Sequence, residues 1–425
     1  MLTTGAPTNW AGNITFRATR LHRPESVGEL RRIVGSARCV RALGTGHSFN
    51  RVADTGGDLV RLDGLPNRFR IDSANRTVTV GAGMRYAEFA GQLHAAGFAL
   101  GSLASLPHIS VAGAVATGTH GSGDSRPSLS AAVAGLEVVG PEGDLFELSR
   151  ESAPERLRGS VVALGALGIV TAVTLDIGPT FDVAQWVHTG LSLDRLAERH
   201  EEIFAAAYSV SVFTDWRGDD SMVWLKHRTD DAGGAGLGSE RWQGARLADR
   251  PHHPVPGMPT ANCTEQSGVP GPWHERLPHF RPGFTPSRGA ELQSELLLPR
   301  AAAPAAFAAL RGLGERMAPV LQVSEVRTVA ADELWLSPAH GRDSVAFHFT
   351  WLPDTPAVLP VIAAIQEALL PLGARPHWGK LTAAAPVDVA GLYERAGDFR
   401  ALLADLDPEG KFRNPYVESH FPAGT

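Results

Sequence analysis

Cysteine and lysine are both scarce in this chain. Only two of its 425 residues are cysteines, Cys39 and Cys263, which excludes a disulfide scaffold and a four-thiolate zinc or iron–sulfur site. Only three of the 39 basic residues are lysines, Lys226, Lys380 and Lys411, a bias that GC-rich codon usage accounts for. Because arginine has replaced lysine almost everywhere else, we hypothesise that a remaining lysine marks a position that favours a compact ammonium group.

An excess of positive charge and a long apolar run are also missing. The net charge of −6 offers no basic surface for nucleic acid or an anionic membrane. No run reaches the ~18 uninterrupted apolar residues of a membrane span, and the N-terminal sequence lacks the basic and apolar regions of a secretory signal. We therefore expect a cytoplasmic protein, acting as a monomer, with no nucleic-acid or membrane partner.

Hydrophobic patterns indicate an α+β chain without the regular alternation of a doubly wound sheet. Residues 232–283 are rich in glycine and proline and have little periodicity, but they contain aromatic residues, so we interpret them as an ordered, irregular cover over a site. The predicted helices are 26–37, 85–96 and 358–370, and the predicted strands are 39–43, 59–62, 77–80, 133–139, 168–175, 321–330 and 344–351.

The segment ALGTGHSFN, residues 42–50, directly follows a predicted strand. Gly44 and Gly46 permit a turn whose backbone N–H groups point at a phosphate. A dinucleotide fingerprint would need a third glycine where Phe49 stands, so that motif is absent. A phosphate-binding turn and a simple surface turn both remain open for this segment taken alone.

Residues 89–123 contain no Asp, Glu, Lys or Arg, although about seven would be expected from the overall 20% charged content. Small residues, hydroxyls and glycines dominate its core, ASLPHISVAGAVATGTHGSG, which indicates a buried cradle in which neutral donors bind a bulky polar ligand such as a diphosphate. The spacing of His94, His108 and His120 matches no zinc pattern, so we expect no metal site.

The strands at 321–330 and 344–351 each place polar groups on one face. Side chains alternate along a strand, so Glu325 and Arg327 share one face, as do His348 and Thr350, with apolar residues opposite. Such a face suits a polyhydroxylated ligand; the alternative is an ordinary solvent-facing side. Lys380, in RPHWGK, and Lys411, in DLDPEGKFRNPYV, lie in short motifs that would otherwise be a turn and a terminal loop.

Taken in this order, GTGHS, the uncharged segment, the E-x-R strand, HFT, HWGK and a terminal D-P-x-G-K-F-x-N resemble the vanillyl-alcohol-oxidase-type flavoproteins. The resemblance covers nearly the whole chain and is greatest to the aldonolactone-oxidase branch, in particular to the bacterial alditol oxidases. It implies a two-domain flavoprotein of α+β class. An FAD-binding (PCMH-type) domain would span 1–178, an α/β substrate (cap) domain 179–370, and a C-terminal segment, 371–425, would return to the FAD-binding domain.

The resemblance also implies a cofactor, FAD, bound covalently from His47 to the 8α-methyl group of the isoalloxazine ring. An imidazole at that position withdraws electron density and makes the ring a stronger oxidant. The other cofactor-binding residues that it implies are Ala42, Leu43, Gly44, Thr45, Gly46, Ser48, Ser105, Ser110, Gly113, Thr117, Gly118, Thr119, His120, Ile169 and His377.

The implied activity is an oxidase that converts the terminal primary alcohol of alditols such as xylitol and sorbitol to the aldose, while O2 is reduced to H2O2. Two alternatives remain: an aldonolactone or sugar oxidase or dehydrogenase of the same fold, and a non-catalytic sugar-binding protein. The implied substrate-binding residues are Ser105, Glu325, Arg327, His348, Thr350 and Lys380, of which Glu325, Arg327, His348 and Lys380 are catalytic.

The resemblance assigns different roles to the ionisable residues. Arg327 is normally always protonated, so we favour Glu325 as the proton acceptor. Lys380 would stabilise the anionic reduced flavin, and Lys411 would lie on the returning tail. Lys226 has no role that the sequence can name, and we expect Lys226→Arg to change nothing measurable.

Overall fold

The computed structural model describes residues 7–283 and 290–422. Residues 1–6 of the predicted FAD-binding domain, 284–289 of the predicted cap domain and 423–425 of the predicted C-terminal segment therefore lie outside the described residues. The helices are α1 (Val27–Ser36), α2 (Tyr86–Ala95), α3 (Val111–Ala116), α4 (Pro154–Val161), α5 (Leu193–Ala205), α6 (Trp273–Arg276), α7 (Ala303–Met317), α8 (Thr355–Leu369), α9 (Pro386–Gly391), α10 (Ala396–Leu406) and α11 (Pro415–His420). The strands are β1 (Arg20–His22), β2 (Val40–Leu43), β3 (Asp58–Arg61), β4 (Phe69–Asp72), β5 (Thr77–Gly81), β6 (Phe98–Ala99), β7 (Val133–Val139), β8 (Leu145–Ser149), β9 (Ile169–Asp176), β10 (Gly178–Pro179), β11 (Asp182–Leu191), β12 (Ser209–Thr214), β13 (Ser221–Arg228), β14 (Arg241–Trp242), β15 (Ala245–Leu247), β16 (Gly271–Pro272), β17 (Leu292–Pro299), β18 (Leu321–Val329), β19 (Ser344–Trp351) and β20 (Arg375–Pro376). Every predicted helix and strand is confirmed, with ends that differ by up to three residues.

The N-terminal part is built on two larger sheets, beside a two-stranded antiparallel sheet of β6 and β10. A parallel sheet has the order β1-β3-β2, and an antiparallel sheet has the order β4-β5-β9-β7-β8. Helix α1 begins where Ser26 Oγ accepts the backbone N–H of Glu29 at 3.1 Å, which makes Ser26 the N-cap of this helix. Leu30 and Val34 are fully buried against the neighbouring strands, so this helix closes one side of the N-terminal core.

Two glycine-rich segments of this part lie against each other at the end of β2. Gly46 has a φ of +72°, in the left-handed region that favours glycine. A Cβ at Gly44 would lie 2.1 Å from Ser110 Oγ, so any larger residue would force the Ser110 side chain to move. The turn after β2 and the start of α3 therefore form one continuous wall of backbone and small side chains.

The middle of the chain forms a ten-stranded sheet, the cap sheet, in which every described neighbouring pair is antiparallel. Helices α5, α7 and α8 cover one face, where Phe307, Phe347 and Ile362 belong to a single apolar cluster. The other face carries Glu325 and His348, as the alternation in the sequence predicts. This sheet is the wall that positions the polar side chains.

Among the described residues, Thr355–Leu372 is a helical stretch apolar and long enough to cross a membrane by length and composition. It corresponds to α8 and the turn that follows it. Val358, Ile362 and Ile365 on this helix are buried in the apolar cluster of the cap sheet. Its apolar composition is thus used in packing against this sheet.

Residues 232–283 are ordered and carry only short elements, β14 to β16 and α6, as predicted for an irregular cover. The last part of the chain first completes the cap sheet, because β20 pairs with β17. Helices α9 to α11 then return to the N-terminal part, where Phe399, Val417 and Phe421 join its largest apolar cluster. Lys411 donates to the carbonyl oxygens of Val34 and Pro141, which links the tail to α1.

Candidate active site

A cavity of about 780 Å³ lies between the glycine-rich wall and the polar face of the cap sheet. This volume is typical of small-molecule and cofactor sites. The predicted site residues that line it are Ala42, Leu43, Gly44, Thr45, Gly46, His47, Ser48, Ser105, Ser110, Gly113, Thr117, Thr119, His120, Glu325, Arg327, His348, Thr350, His377 and Lys380. The fold thus brings together segments that are more than 300 residues apart in the sequence.

Two residues predicted to bind the cofactor do not line this cavity. Ile169 is 1% exposed and packs in an apolar cluster, while Gly168 and Val170 line the cavity instead, because neighbouring side chains of a strand point in opposite directions. Gly118 forms a turn with a φ of +71°, and a Cβ there would lie 3.1 Å from Pro338. These two residues lie behind the wall of the cavity, and their assignment to cofactor binding stays a prediction.

His47 lies at the end of the cavity formed by the glycine-rich turn. Its ring stacks on Trp10 with a centroid distance of 4.9 Å, and its Nδ1 is 3.0 Å from Thr45 Oγ1. Nε2 is buried and has no hydrogen-bond partner among the described residues. Burial, helped by His108 and Arg85, lowers the pKa of His47 to about 4. The ring is therefore neutral at physiological pH, the form in which a ring nitrogen is nucleophilic.

The remaining walls at this end fit a bulky anionic cofactor such as FAD. Arg41 is buried and lines the cavity, and among the described residues no carboxylate lies within 4 Å of its guanidinium, which instead donates to carbonyl oxygens such as that of Gly165. Burial lowers its pKa to about 10, so it remains a cation at neutral pH. A bound diphosphate would compensate this charge, and neutral backbone N–H groups of residues 104–120 would complete its binding.

The segment that carries His377 and Lys380 is fixed against the glycine-rich turn. Phe49 donates its backbone N–H to Gly379 O at 2.8 Å, and Asn50 Nδ2 donates to the carbonyl oxygens of Trp378 and Lys380, each at 2.8 Å. These bonds explain why the C-terminal motif and the first motif meet at the same cavity.

At the opposite end, a row of three ionisable side chains crosses three strands. His348 of β19 pairs with Glu325 of β18 on one side and with Glu295 of β17 on the other. Arg327 lies next to Glu325 on the same face, with its Nε 3.6 Å from Glu325 Oε2. The pKa of Arg327 is raised by Glu325 and Glu295 against the effect of burial, so it stays protonated.

Glu295 is a central residue of this site that the sequence analysis missed. Its side chain is 1% exposed and forms ion pairs with Arg327 and, at 2.7 Å, with Lys380 Nζ. Burial alone would raise the pKa of Glu295, but these two cations hold it well below the usual range. The available signal was an acid within LQSELLLP at an inward position of an otherwise apolar segment, which was not predicted as a strand.

Lys380 also organises the hydrogen bonds of His348. Lys380 Nζ donates to His348 Nδ1 at 2.7 Å, and His348 Nε2 lies 3.2 Å from Thr350 Oγ1. Burial and the neighbouring Lys380 hold the pKa of His348 well below its usual range, so the imidazole is neutral. With Nδ1 accepting, Nε2–H donates to Thr350, whose own hydroxyl hydrogen is left free for a ligand.

Behind Glu325 lies a second group that the sequence did not identify. His279 Nε2 is 2.8 Å from Glu325 Oε1, and His279 Nδ1 is 3.2 Å from Lys226 Nζ. Lys226 is 1% exposed. The expectation that Lys226 has no role and tolerates arginine is corrected, because both faces of β13 are buried and the larger guanidinium would enter a closed space beside the site.

Comparison with known proteins places this geometry in a known group. Residues 18–149 match the FAD binding domain family, and residues 290–420 match the D-arabinono-1,4-lactone oxidase family. The chain is 53% identical to alditol oxidase from a Streptomyces strain over 97% of this chain and 98% of that protein. It is 26% identical to L-gulono-1,4-lactone dehydrogenase of Mycobacterium tuberculosis over 96% of this chain and 97% of that protein. The crystal structure of a cholesterol oxidase from B. sterolicum shares its fold, with a TM-score of 0.73 at 15% identity over 98% of this chain and 96% of that one.

Proposed function

This chain belongs to the alditol oxidase family of FAD-binding oxidoreductases, and on that premise we propose that it oxidises the terminal primary alcohol of an alditol to the aldose. The observation that carries the proposal is the polar wall of the cavity. Donors and acceptors from Ser105, Glu325, Arg327, His348, Thr350 and Lys380 all face one space, which suits a ligand with a hydroxyl on every carbon.

Bound FAD supplies the two-electron acceptor for the alcohol and passes the electrons to O2, giving H2O2. The glycine-rich wall and Arg41 would hold its diphosphate, and His377 and Lys380 would lie on the opposite side. We propose that His47 is bonded to the flavin, supported by its neutral imidazole and its buried, unpartnered Nε2. Thr45 and Trp10 hold the ring of His47 in place for this bond.

At the reacting carbon, Glu325 and Arg327 have different roles. Arg327 remains protonated and donates a hydrogen bond to the reacting oxygen, while Glu325 remains ionised and accepts the hydroxyl proton. Lys380, held by Glu295, supplies a fixed positive charge where negative charge develops during the reaction. Ser105 and Thr350 orient the other hydroxyls of the chain.

Substrate oxidation tests this proposal directly. We expect peroxide formation under steady-state conditions with xylitol and sorbitol, and much less with sugar lactones. Preference for lactones would assign the chain to the lactone-oxidising members of the fold, and oxidation of the polyol with a dye but not with O2 would make it a dehydrogenase.

The flavin bond is tested without a substrate. The purified protein should be yellow, and the colour should stay with the precipitated chain after acid treatment. Colour released into the supernatant would refute the bond to His47 and leave the oxidase proposal intact. A colourless protein that also fails to bind added FAD would refute the whole proposal.

A further inference from the structure

Three buried side chains lead away from the cavity in single file. Glu325 faces the cavity, His279 lies behind it, and Lys226 lies behind His279. Alternation places Lys226 of β13 and Glu325 of β18 on the same face of the cap sheet, two strands apart. The ring of His279 fills the gap between them, edge-on to Phe213 at 5.5 Å and to Trp224 at 5.0 Å.

The position of His279 is fixed from both sides of its backbone. Its N–H donates to Ser105 O at 3.0 Å, and its carbonyl accepts the N–H of Thr264 at 3.0 Å. These bonds fix the backbone of His279, and the flanking rings of Phe213 and Trp224 confine its imidazole. Both ring nitrogens are used, one toward Glu325 and one toward Lys226.

Lys226 is an unusual buried amine. Its Nζ contacts the carbonyl oxygens of Leu277 and Pro278, the latter at 3.0 Å, and among the described residues no carboxylate lies within 4 Å. The ionisable groups that face it are His279, Glu325, Arg327 and Cys263. Burial is the main cause that lowers the pKa of Lys226 to about 7, so both protonation states are populated near neutral pH.

The hydrogen bonds that link Lys226, His279 and Glu325 can be donated in either direction along the row. When Lys226 is an ammonium, it donates to both carbonyls and to His279 Nδ1, and Nε2–H donates to an ionised Glu325. When Lys226 is an amine, it donates its two hydrogens to the two carbonyl oxygens, and its lone pair accepts a hydrogen bond from His279 Nδ1–H. His279 Nε2 then accepts a hydrogen bond from protonated Glu325. The two arrangements contain the same number of protons, and they interconvert when one proton moves between Glu325 and His279 Nε2 while another moves between His279 Nδ1 and Lys226.

We propose that Glu325, His279 and Lys226 form a proton relay. The substrate's hydroxyl proton leaves Glu325 through His279, and Lys226 holds it until the reaction with O2. The inference rests on the proposed function. The alcohol loses a hydride from carbon, which the flavin accepts, and a proton from oxygen, which bonds to Glu325. That proton passes to His279 Nε2 as Nδ1–H is released to Lys226, which becomes an ammonium. The transfer reverses when O2 takes up the two electrons and two protons as H2O2, one proton being returned by Lys226 and the other being the hydrogen that left the alcohol as hydride.

The charges around the cavity explain why such a relay is needed. Arg327 and His279 hold the pKa of Glu325 well below its usual range despite burial, so a proton does not stay there. The pKa of His279 is also low, about 4, mainly because of burial and the neighbouring Lys226. Of these three residues, Lys226 therefore binds the proton most strongly. It acts through His279 and Glu325 as a positioning residue, without touching the substrate.

Proton release during a single turnover tests the relay in the intact holoenzyme. The flavin is reduced anaerobically with sorbitol above pH 7 in weak buffer with an indicator dye. We expect the wild type to release no proton on reduction and Lys226→Met to release one per flavin. Proton release by the wild type, or retention by both proteins, would overturn the inference. If no polyol reduces the flavin, the proposed function fails first, which is a distinguishable result.

The pH profile of flavin reduction gives an independent test. In the wild type the rate should fall as pH drops through about 7, because an ammonium at Lys226 cannot accept the proton. Lys226→Met and Lys226→Arg should both lose this transition and reduce the flavin about 10²-fold more slowly, with an unchanged Kd for sorbitol. A wild-type profile in Lys226→Met would refute the relay.

Matched variants separate the relay from general damage to the fold. His188 is also a buried histidine of the cap, with Nε2 2.7 Å from Leu237 O, so His188→Asn controls for His279→Asn. Lys411→Met controls for the loss of a lysine that donates only to backbone carbonyls. Both controls should keep the wild-type proton balance and pH profile, whereas His279→Asn should behave as Lys226→Met does.

Discussion

Replacing Glu295 with glutamine is the sharpest test of how the polar wall is held together. The carboxylate is paired with Arg327 and Lys380 and is 1% exposed, so the amide leaves two buried cations without their shared ion-pair partner. Removing one partner of a buried pair costs about 3–5 kcal/mol, because the charge left behind keeps its desolvation cost.

This free energy corresponds to a measurable shift in melting temperature. At about 2.1 cal/mol/K per residue, unfolding all 425 residues carries an entropy of about 0.9 kcal/mol/K, so each kcal/mol lowers Tm by about 1 °C. We expect Glu295→Gln to melt about 3–6 °C below the wild type by scanning calorimetry of the holoenzyme. Glu155→Gln, which removes an exposed ion pair with Arg158, should change Tm by less than about 1 °C.

The same variant should also change the pH dependence of activity. Burial lowers the pKa of Lys380, and Glu295 is the main group that raises it. Without Glu295 the ammonium is lost at lower pH, so the alkaline fall in kcat should move toward neutral pH. A variant with the melting temperature and pH profile of the wild type would refute the role of Glu295 as the anchor of the two cations.

Four further predictions concern single side chains. Glu325→Gln should lower kcat for sorbitol by about 10²–10⁴-fold, and near-normal turnover would contradict its role as proton acceptor. His47→Ala should release its flavin into the supernatant on acid precipitation and reduce it more slowly with sorbitol, since the electron-withdrawing substituent is gone. Lys380→Arg should slow anaerobic flavin reduction, because a planar guanidinium cannot replace the single ammonium shared by Glu295 and His348. Because the pKa of Lys226 is about 7 when folded against 10.5 for a free lysine, the unfolded chain binds more protons between these values. The stability of the wild type relative to Lys226→Met, measured by urea unfolding, should therefore rise by up to about 1.4 kcal/mol per pH unit from pH 7 upward, and equal slopes would contradict this.

Much of the site could be predicted because its residues stand in local patterns. A strand followed by glycines at 44 and 46 requires a tight turn wherever it occurs, and alternation along β18 and β19 alone places Glu325 and His348 on polar faces. The small residues and hydroxyls of 104–123 predicted a buried cradle, and this part of the uncharged segment is buried or half-buried except at Gly113. These features depend only on near neighbours in the sequence, and the structure retains them.

The residues that were missed depend on contacts across the chain. Glu295 and Lys226 lie in strands whose apolar neighbours gave no signal of chemistry, and His279 lies in an irregular loop without periodicity. Their importance comes from the pairing of β17 with β19 and from the packing of the loop before residue 284 against Trp224. Ile169 shows a different limit of sequence reasoning, since its motif lies at the cavity while its side chain points into the core.

The scarcity of lysine therefore gained a meaning that composition alone does not contain. The sequence by itself determined the most regular helices and strands, the turn at His47 and which polar side chains share a strand face, because these follow from backbone sterics and periodicity. Only the tertiary structure decided what each lysine does: Lys380 is paired with Glu295, Lys411 ties the tail to α1, and Lys226 is buried next to His279 with no carboxylate within 4 Å among the described residues. The pKa of an amine depends on the burial and charges around it, and those surroundings are assembled by strands and loops distant in the sequence.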